Sequence, residues 1–255
     1  MFDTYDHIFA ERADSYQYAM VTWPFARRRE FEAVIERLPK RAHAVLCDIP
    51  AGGGYLYGYL PPDDLRYIAV EPTEYFVSQC PVGKRAERRK APMESLPLHR
   101  ESVDFIVSLA GLHHAPDKLA IFKEMRRIIR TAGQLVIADV EAGTGADNFL
   151  NQFVNTHNSI GHVGVFFGPE TAQELRLAGL EIERDELVTV PWSFDTANDM
   201  GSFCKSLFGI DRATVKEVIR GIDEFVGRSD GAGLVNMAWQ LRYIVCRPAP
   251  AEIPH

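Results

Sequence analysis

The sequence predicts an α/β protein built on a mostly parallel sheet with helices on both faces. Three observations carry this: short apolar runs that read as fully buried strands, longer amphipathic stretches alternating with them, and a glycine-rich turn directly after the first run.

Each element follows from local pattern. Apolar and aromatic residues at helical spacing between residues 2 and 38 predict two helices, broken at Pro24. Ala44–Asp48 reads as a buried strand, followed by the turn Pro50-Ala51-Gly52-Gly53-Gly54 and a helix over Tyr55–Leu60, ended by Pro61-Pro62. Tyr67–Glu71 is a second strand, and Thr73–Gln79 a short helix closed by Pro81. Val103–Leu109 is a third strand. Lys118–Ile129 is a helix with apolar Leu119, Ile121, Phe122, Met125 and Ile128, stopped by Thr131-Ala132-Gly133 before a strand over Gln134–Val140. Asp147–Asn158 is predicted helical, with Phe149, Phe153 and His157 on one face. Pro169–Ala178 is a helix capped by Gly179. Leu180–Val190 and Trp239–Cys246 are the last strands, and 248–255 a disordered tail.

Composition narrows the function. A chain of 255 residues, 46% hydrophobic and 25% charged, suits one substantial core. The formal net charge of −7 leaves no large cationic field, since the basic clusters Arg27–Arg29 and Lys84–Lys90 are local, so nucleic acid is disfavoured as a partner. Cys47, Cys80, Cys204 and Cys246 have no metal-ligand spacing and are expected as free thiols. No apolar stretch approaches the roughly 18 residues of a membrane helix, and the N-terminus is too polar for a signal peptide, so a cytoplasmic location is expected.

In an open parallel sheet the ligand lies outside the carboxyl ends of the strands, so the turns after Asp48, Glu71 and Leu109 are expected to share one crevice. Small residues at Ala51, Gly52 and Gly54 allow close approach of backbone to a ligand. Glu71 ends a strand roughly 20 residues further on, where a carboxylate can accept both ribose hydroxyls of an adenine nucleoside. That pair alone fits a nicotinamide cofactor as well as S-adenosyl-L-methionine (SAM). An acidic Asp48 suits the ammonium of SAM and would repel a pyrophosphate.

The ordered set Val45-Leu-Cys-Asp48-Ile-Pro-Ala-Gly52-Gly-Gly54, Ile68-Ala-Val-Glu71-Pro72, Met93-Glu94-Ser-Leu-Pro-Leu98, Ser102–His114 and Lys123–Ile137 resembles the class I SAM-dependent methyltransferases. Within them it is similar to the small-molecule branch that includes the ubiquinone/menaquinone and biotin-pathway enzymes. The resemblance covers residues 44–140, and Phe9–Tyr16 resembles that branch's N-terminal segment. It implies a Rossmann-like, doubly wound, seven-stranded sheet, SAM as cofactor and S-adenosyl-L-homocysteine (SAH) as product. It divides the chain into an N-terminal helical lid over 1–40 and a SAM-binding domain over 41–247, with substrate-lid insertions at 141–168 and 192–236.

The resemblance also implies roles. Asp48 approaches the methionyl amine, Ala51 and Gly52 lie along the methionyl part, and Glu71 holds the ribose. Met93 offers its backbone N–H to adenine, Leu109 and Ala110 line the sulfonium side, and Tyr16 closes on the amino-acid end. Pro50, Gly54, Pro72, Glu94 and His114 belong to the same cofactor-lining set. Two positions depart from the family: Pro50 stands where the first glycine of the turn is usual, and Pro92 where an aspartate commonly meets the adenine amino group.

Methyl transfer from a sulfonium is an in-line displacement in which the protein supplies proximity, orientation and sometimes a base. His113 and His157 are the candidate bases. His157, His162, Trp192 and Phe203 are the candidate substrate contacts, the aromatic pair as part of a lid with Phe194 and Phe208. No histidine spacing suggests a metal site. The expected partner is a small-molecule acceptor, with a homodimer through the C-terminal segments. The alternatives are a SAM-dependent cyclase on the same fold, a nicotinamide oxidoreductase, a non-catalytic nucleoside-binding or scaffold protein, and an RNA methyltransferase.

Overall fold

A computed structural model describes residues 5–61 and 65–250, and the side chains of 5–8, 10 and 11 lie outside the description. Helix α1 (Tyr5–Thr22) and helix α2 (Arg28–Ile35) flank Pro24 and precede strand β1 (Ala44–Asp48). Strand β2 (Leu65–Glu71), helix α3 (Glu74–Gln79), strand β3 (Ala86–Lys90), strand β4 (Val103–Leu109), helix α4 (Lys118–Ile128) and strand β5 (Ile129–Asp139) complete the first half. The second half holds α5 (Gly145–Asn148), a π-helical turn (Phe149–Val154), α6 (Asn155–His157), α7 (Thr171–Leu177), β6 (Leu180–Thr189) and β7 (Trp192–Phe194). It closes with α8 (Ala197–Leu207), α9 (Val215–Phe225), β8 (Arg228–Gly231), β9 (Leu234–Met237) and β10 (Gln240–Pro248).

The main sheet runs β3-β2-β1-β4-β5-β10-β6, with β10 antiparallel to both neighbours and the other pairs parallel. A small sheet, β7-β9-β8, stands beside it. This is the Rossmann-like, mostly parallel seven-stranded sheet that the sequence predicts. Its core lies on both faces, one centred on Leu46, Phe105 and Val136 and the other on Cys47, Ile106 and Leu135. Alternating side chains of β1, β4 and β5 thus enter opposite layers, which is why these strands must be apolar throughout.

Several local expectations are corrected. Tyr55–Tyr59 is a short 3-10 helix rather than an α-helix, and Pro62 lies outside the described residues. Gly133 does not cap α4: Ile129 is already extended and begins β5, with Gly133 inside the strand, where a Cβ would come within 2.7 Å of the Asp104 carbonyl oxygen. The basic run 86–90 is the edge strand β3, whose charged side chains discourage pairing with another chain. Pro248 is still in β10 and Ala249 donates its N–H to the Gly179 carbonyl, so the expected tail does not begin at 248; residues 251–255 lie outside the described residues. The helix predicted over 147–158 contains the π turn, and its rings stack at 5.4 Å (Phe149 on Phe153) and 4.3 Å (Phe153 on His157). No helix of the described residues is long and apolar enough to cross a membrane.

Candidate functional site

A cavity opens at the carboxyl ends of β1, β4 and β5, where the switch between β1 and β4 in strand order leaves a crevice. Its floor is the turn after β1. Asp48 ends the strand, buried, with its Oδ2 accepting from Tyr67 Oη at 2.7 Å. Burial pushes its carboxyl up to about 7, and the Tyr67 hydrogen bond offsets this only in part. No described cation pairs with it. Pro50, Ala51 and Gly52 continue the floor. Pro50 follows a cis peptide bond, and its ring lies where a side chain at residue 111 would be: a Cβ on Gly111 would come within 2.3 Å of it. The proline in place of the family's first glycine is therefore matched by a glycine on the facing loop.

Gly54 is not on the wall. It adopts a φ of +72° and a Cβ there would meet Pro81 at 2.4 Å, so its role is to let the turn pass α3. Glu71 is also not on the wall. Fully buried, it accepts from the Gly52 N–H at 2.9 Å on Oε2 and from the Thr73 N–H (3.1 Å) and hydroxyl (2.9 Å) on Oε1. Met93 is buried with Phe9 and Phe76 in one apolar cluster, Glu94 is exposed, and Pro72 is half-buried away from the wall. Phe9 of α1 packs on Phe76 at 5.1 Å and Tyr16 on the same ring at 5.4 Å. Phe9, Tyr16 and Phe76 thus form an apolar stretch of the cavity wall.

Leu109, Ala110 and Gly111 form the next wall, Ala110 with a φ of +52° that a non-glycine residue rarely adopts. His113 and His114 follow on a 3-10 turn. His113 Nδ1 lies 2.7 Å from Asp139 Oδ1, and its backbone N–H donates to Asp139 Oδ2 at 3.0 Å, so the residue ending β5 fixes the ring. Burial first, then neighbouring positive groups including Arg12, push His114 and His162 well below the usual imidazole range. Both are neutral at pH 7.

His162 comes from 141–168 and joins this pair, with His113 and His114 ring centroids at 5.8 and 5.5 Å. The expectation of no metal-ligand set, based on local spacing, is corrected: ligand atoms of all three histidines lie within 4.8 Å of one another. Distance along the chain hid a set that folding assembles. No carboxylate belongs to it among the described residues, and the adjacent Arg12 charge opposes a divalent cation.

The far wall is aromatic. Trp192 stacks on Trp239 at 4.5 Å and on Phe208 at 5.9 Å, and its Nε1 donates to Glu30 Oε1 at 2.8 Å. Glu30 is paired with Arg27 at 2.6 Å, and Arg27 donates to Tyr16 Oη at 2.8 Å. Tyr16 and Trp192 reach the cavity as expected. Phe203 does not: it is fully buried behind Trp192, edge-on at 5.4 Å. The aromatic group is a fixed wall packed into the core. His157 is also off the wall, held by its ring stack on Phe153 and by Nδ1 against the Phe153 carbonyl at 2.8 Å.

Sequence reasoning missed Arg12, Arg27, Asp139 and Trp239. Arg12 shares a helical face with Phe9 and Tyr16, three residues after one and four before the other, a signal the sequence did contain. Asp139 is a charged residue ending an apolar strand, as Asp48 is. Trp239 has no such signature.

Residues 47–137 match the family model for a methyltransferase domain. This stretch of the chain is therefore a methyltransferase domain. SAM is the cofactor of this family. The chain is 29% identical over 165 residues to the 27-O-demethylrifamycin SV methyltransferase of Amycolatopsis mediterranei, a stretch covering 60% of this chain and 59% of that protein. It is 24% identical over 115 residues to the tRNA U34 carboxymethyltransferase of Shewanella pealeana, covering 42% and 35%. The match thus spans about a third and three fifths of these relatives' lengths. Among solved structures, a complex of the Haloferax volcanii Trm112 methyltransferase activator with a methyltransferase superposes with a TM-score of 0.67 at 15% identity, over 96% of this chain and 99% of that one. At that identity the likeness is one of fold. The methyltransferase domain so defined contains the cavity floor, the loop after β4 and His113–His114. Arg12, His162, Trp192 and Trp239 lie outside it.

Proposed function

We propose that this methyltransferase domain moves a methyl group from SAM to an oxygen, nitrogen or carbon of a small-molecule acceptor and releases SAH. The observation that carries the reading is Asp48: a carboxyl on the cavity floor, pushed up to about 7 by burial, with no cation beside it among the described residues. An ammonium group beside it would supply that cation, and SAM has one next to its carboxylate.

The remaining residues fit. When bound, SAM supplies an electrophilic methyl group on a sulfonium. Asp48 holds the ammonium, Ala51 and Gly52 lie along the methionyl chain, and Leu109 with Ala110 borders the sulfonium. The ribose end meets Phe9 and Phe76, so cofactor entry requires α1 to withdraw Phe9 and bare the carboxylate of Glu71. This makes α1 a lid, and Tyr16 its contact with the amino-acid end. His113 takes the proton lost by a hydroxyl or amine acceptor: Asp139 holds its Nδ1 and leaves Nε2 to act as base. Trp192 and Trp239 present flat apolar surface to the acceptor. The four buried cysteines are free thiols, as suits a reducing, cytoplasmic compartment.

Calorimetric titration of SAM, SAH and NAD into wild type and Asp48→Asn tests the reading. Binding of SAM and SAH but not NAD, weakened in the variant, supports it, and SAH release with an acceptor separates methyl transfer from a SAM-assisted cyclisation. Absence of SAM and SAH binding would sink it.

A further inference from the structure

Arg12 is 7% exposed, on the cavity-facing side of α1. Its Nε and Nη1 are buried and meet no acceptor, and its Nη2 makes one long hydrogen bond, 3.4 Å, to the Leu207 carbonyl. A buried guanidinium normally has a carboxylate, because removing the charge from water is costly without one. Here no described carboxylate pairs with it. Glu30 belongs to Arg27, Asp139 to His113, and Asp48 accepts from Tyr67. The protein makes room for the group: Gly209, with a φ of +62°, would bring a Cβ within 2.7 Å of Arg12 Nε. Beside it stands His162, whose Nδ1 is likewise buried with no hydrogen-bond partner. Burial pushes the guanidinium down to about 10, yet it remains charged at pH 7.

From this arrangement we infer that the acceptor is an anion, and that Arg12, with His162, receives its carboxylate or phosphoryl group on the wall of the cavity. The inference rests on the methyltransferase reading for the word acceptor only; the anion site stands on Arg12 itself. The aromatic wall of Trp192 and Trp239 gives the rest of the molecule an apolar, planar body. The cavity lining thus holds both signs: a carboxyl with no described cation on the floor, and a cation with no described anion on α1. A metal ion among the three histidines would sit against this positive charge, whereas an anion would be drawn to it.

Small aromatic probes test the site without knowledge of the natural acceptor. Benzoate, phenyl phosphate and neutral benzamide are titrated into wild type and Arg12→Met, each ligand-free and saturated with SAH. The expected result is that wild type binds an anionic probe at least about 30-fold more tightly than benzamide, that Arg12→Met abolishes the difference, and that SAH affinity stays within about twofold. The ranking of benzoate against phenyl phosphate identifies the anion. Thermal unfolding of ligand-free Arg12→Met is expected at or above the wild-type temperature, because an apolar side chain replaces an unpaired buried charge. No preference for anions in wild type overturns the inference. So does a parallel loss of SAH affinity in Arg12→Met, which would assign Arg12 to the cofactor's own carboxylate, or a lowered unfolding temperature with unchanged probe binding, which would make Arg12 structural. Arg12→Gln serves the same comparison if Arg12→Met does not fold. Failure of SAM and SAH to bind wild type counts against the methyltransferase reading alone, since the anion preference is read on ligand-free protein as well.

Discussion

Two parts of the cavity lining are made in different ways. The floor around Asp48 is one continuous stretch, β1 and the turn to Gly54, and its shape is set by backbone: a strand end, a proline against a glycine, and positive φ at Gly52 and Gly54. The other part is made of side chains from separate segments, with Arg12 on α1, His113 and His114 after β4, His162 before α7, and Trp192 and Trp239 from around the small sheet. A backbone-built site accepts one ligand and varies little in shape. A side-chain-built site can change its ligand residue by residue, which is where an acceptor is chosen.

The largest effect that separates the two parts is expected from the aromatic wall. Trp192→Ala removes a fully buried ring stacked on Trp239 and leaves Glu30 without its indole donor. It should cost roughly 3–5 kcal/mol of folding stability, read by urea denaturation. A loss under 1 kcal/mol would mean that the acceptor part is a movable lid after all.

His113→Gln and Asp139→Asn should each slow turnover about 100-fold or more if the acceptor loses a proton at oxygen or nitrogen, with SAM affinity unchanged. Equal loss of SAM affinity would move His113 to the cofactor part. On the floor, Asp48→Asn should raise the SAM dissociation constant by about 10- to 150-fold, corresponding to about 1.5–3 kcal/mol for a hydrogen bond to a charged group, and leave the anion preference of the Arg12 site intact. Gly111→Ala should destabilise the protein by about 1–3 kcal/mol through collision with Pro50, and Pro50→Gly in the same chain should restore most of that. Simple addition of the two effects would show that the two residues do not compensate one another.

The smallest effect is in pH. The Asp48 carboxyl, at about 7 in the folded protein against about 3.9 in an unfolded chain, favours the folded state most below pH 4, and that contribution is lost as pH rises towards 7. An ammonium ligand favours the ionised form, so SAM binding should release a proton near neutrality and tighten about tenfold from pH 6 to pH 8. Calorimetry in two buffers of different ionisation enthalpy reads that proton. A pH-independent affinity would place the ammonium elsewhere.

Much of the floor was legible because its signals are local. Apolar strands, a glycine turn and an acidic strand end lie close together in sequence, and Asp48, Ala51, Gly52, Leu109 and Ala110 all reach the cavity wall. Glu71 was legible as a strand-end acid, but its orientation was not: the Gly52 N–H and Thr73 claim its oxygens once the turn folds back. Phe203 and His157 failed for the same reason in reverse, since an aromatic or imidazole at helical spacing looks the same whether its face meets a cavity or a neighbouring ring.

By itself the sequence determined the α/β class, strands β1, β2, β4 and β5 though not the charged edge strand β3, and the acidic, glycine-rich floor, because those depend on periodicity and backbone conformation within a few residues. Only the tertiary structure decided that His162 joins His113 and His114 from a distant segment, that Asp139 holds His113, and that Arg12 is buried with no carboxylate among the described residues. Those are facts of distance and dielectric. They arise when α1 and the segments after β5 close over the sheet and exclude water, and no spacing rule along the chain encodes them.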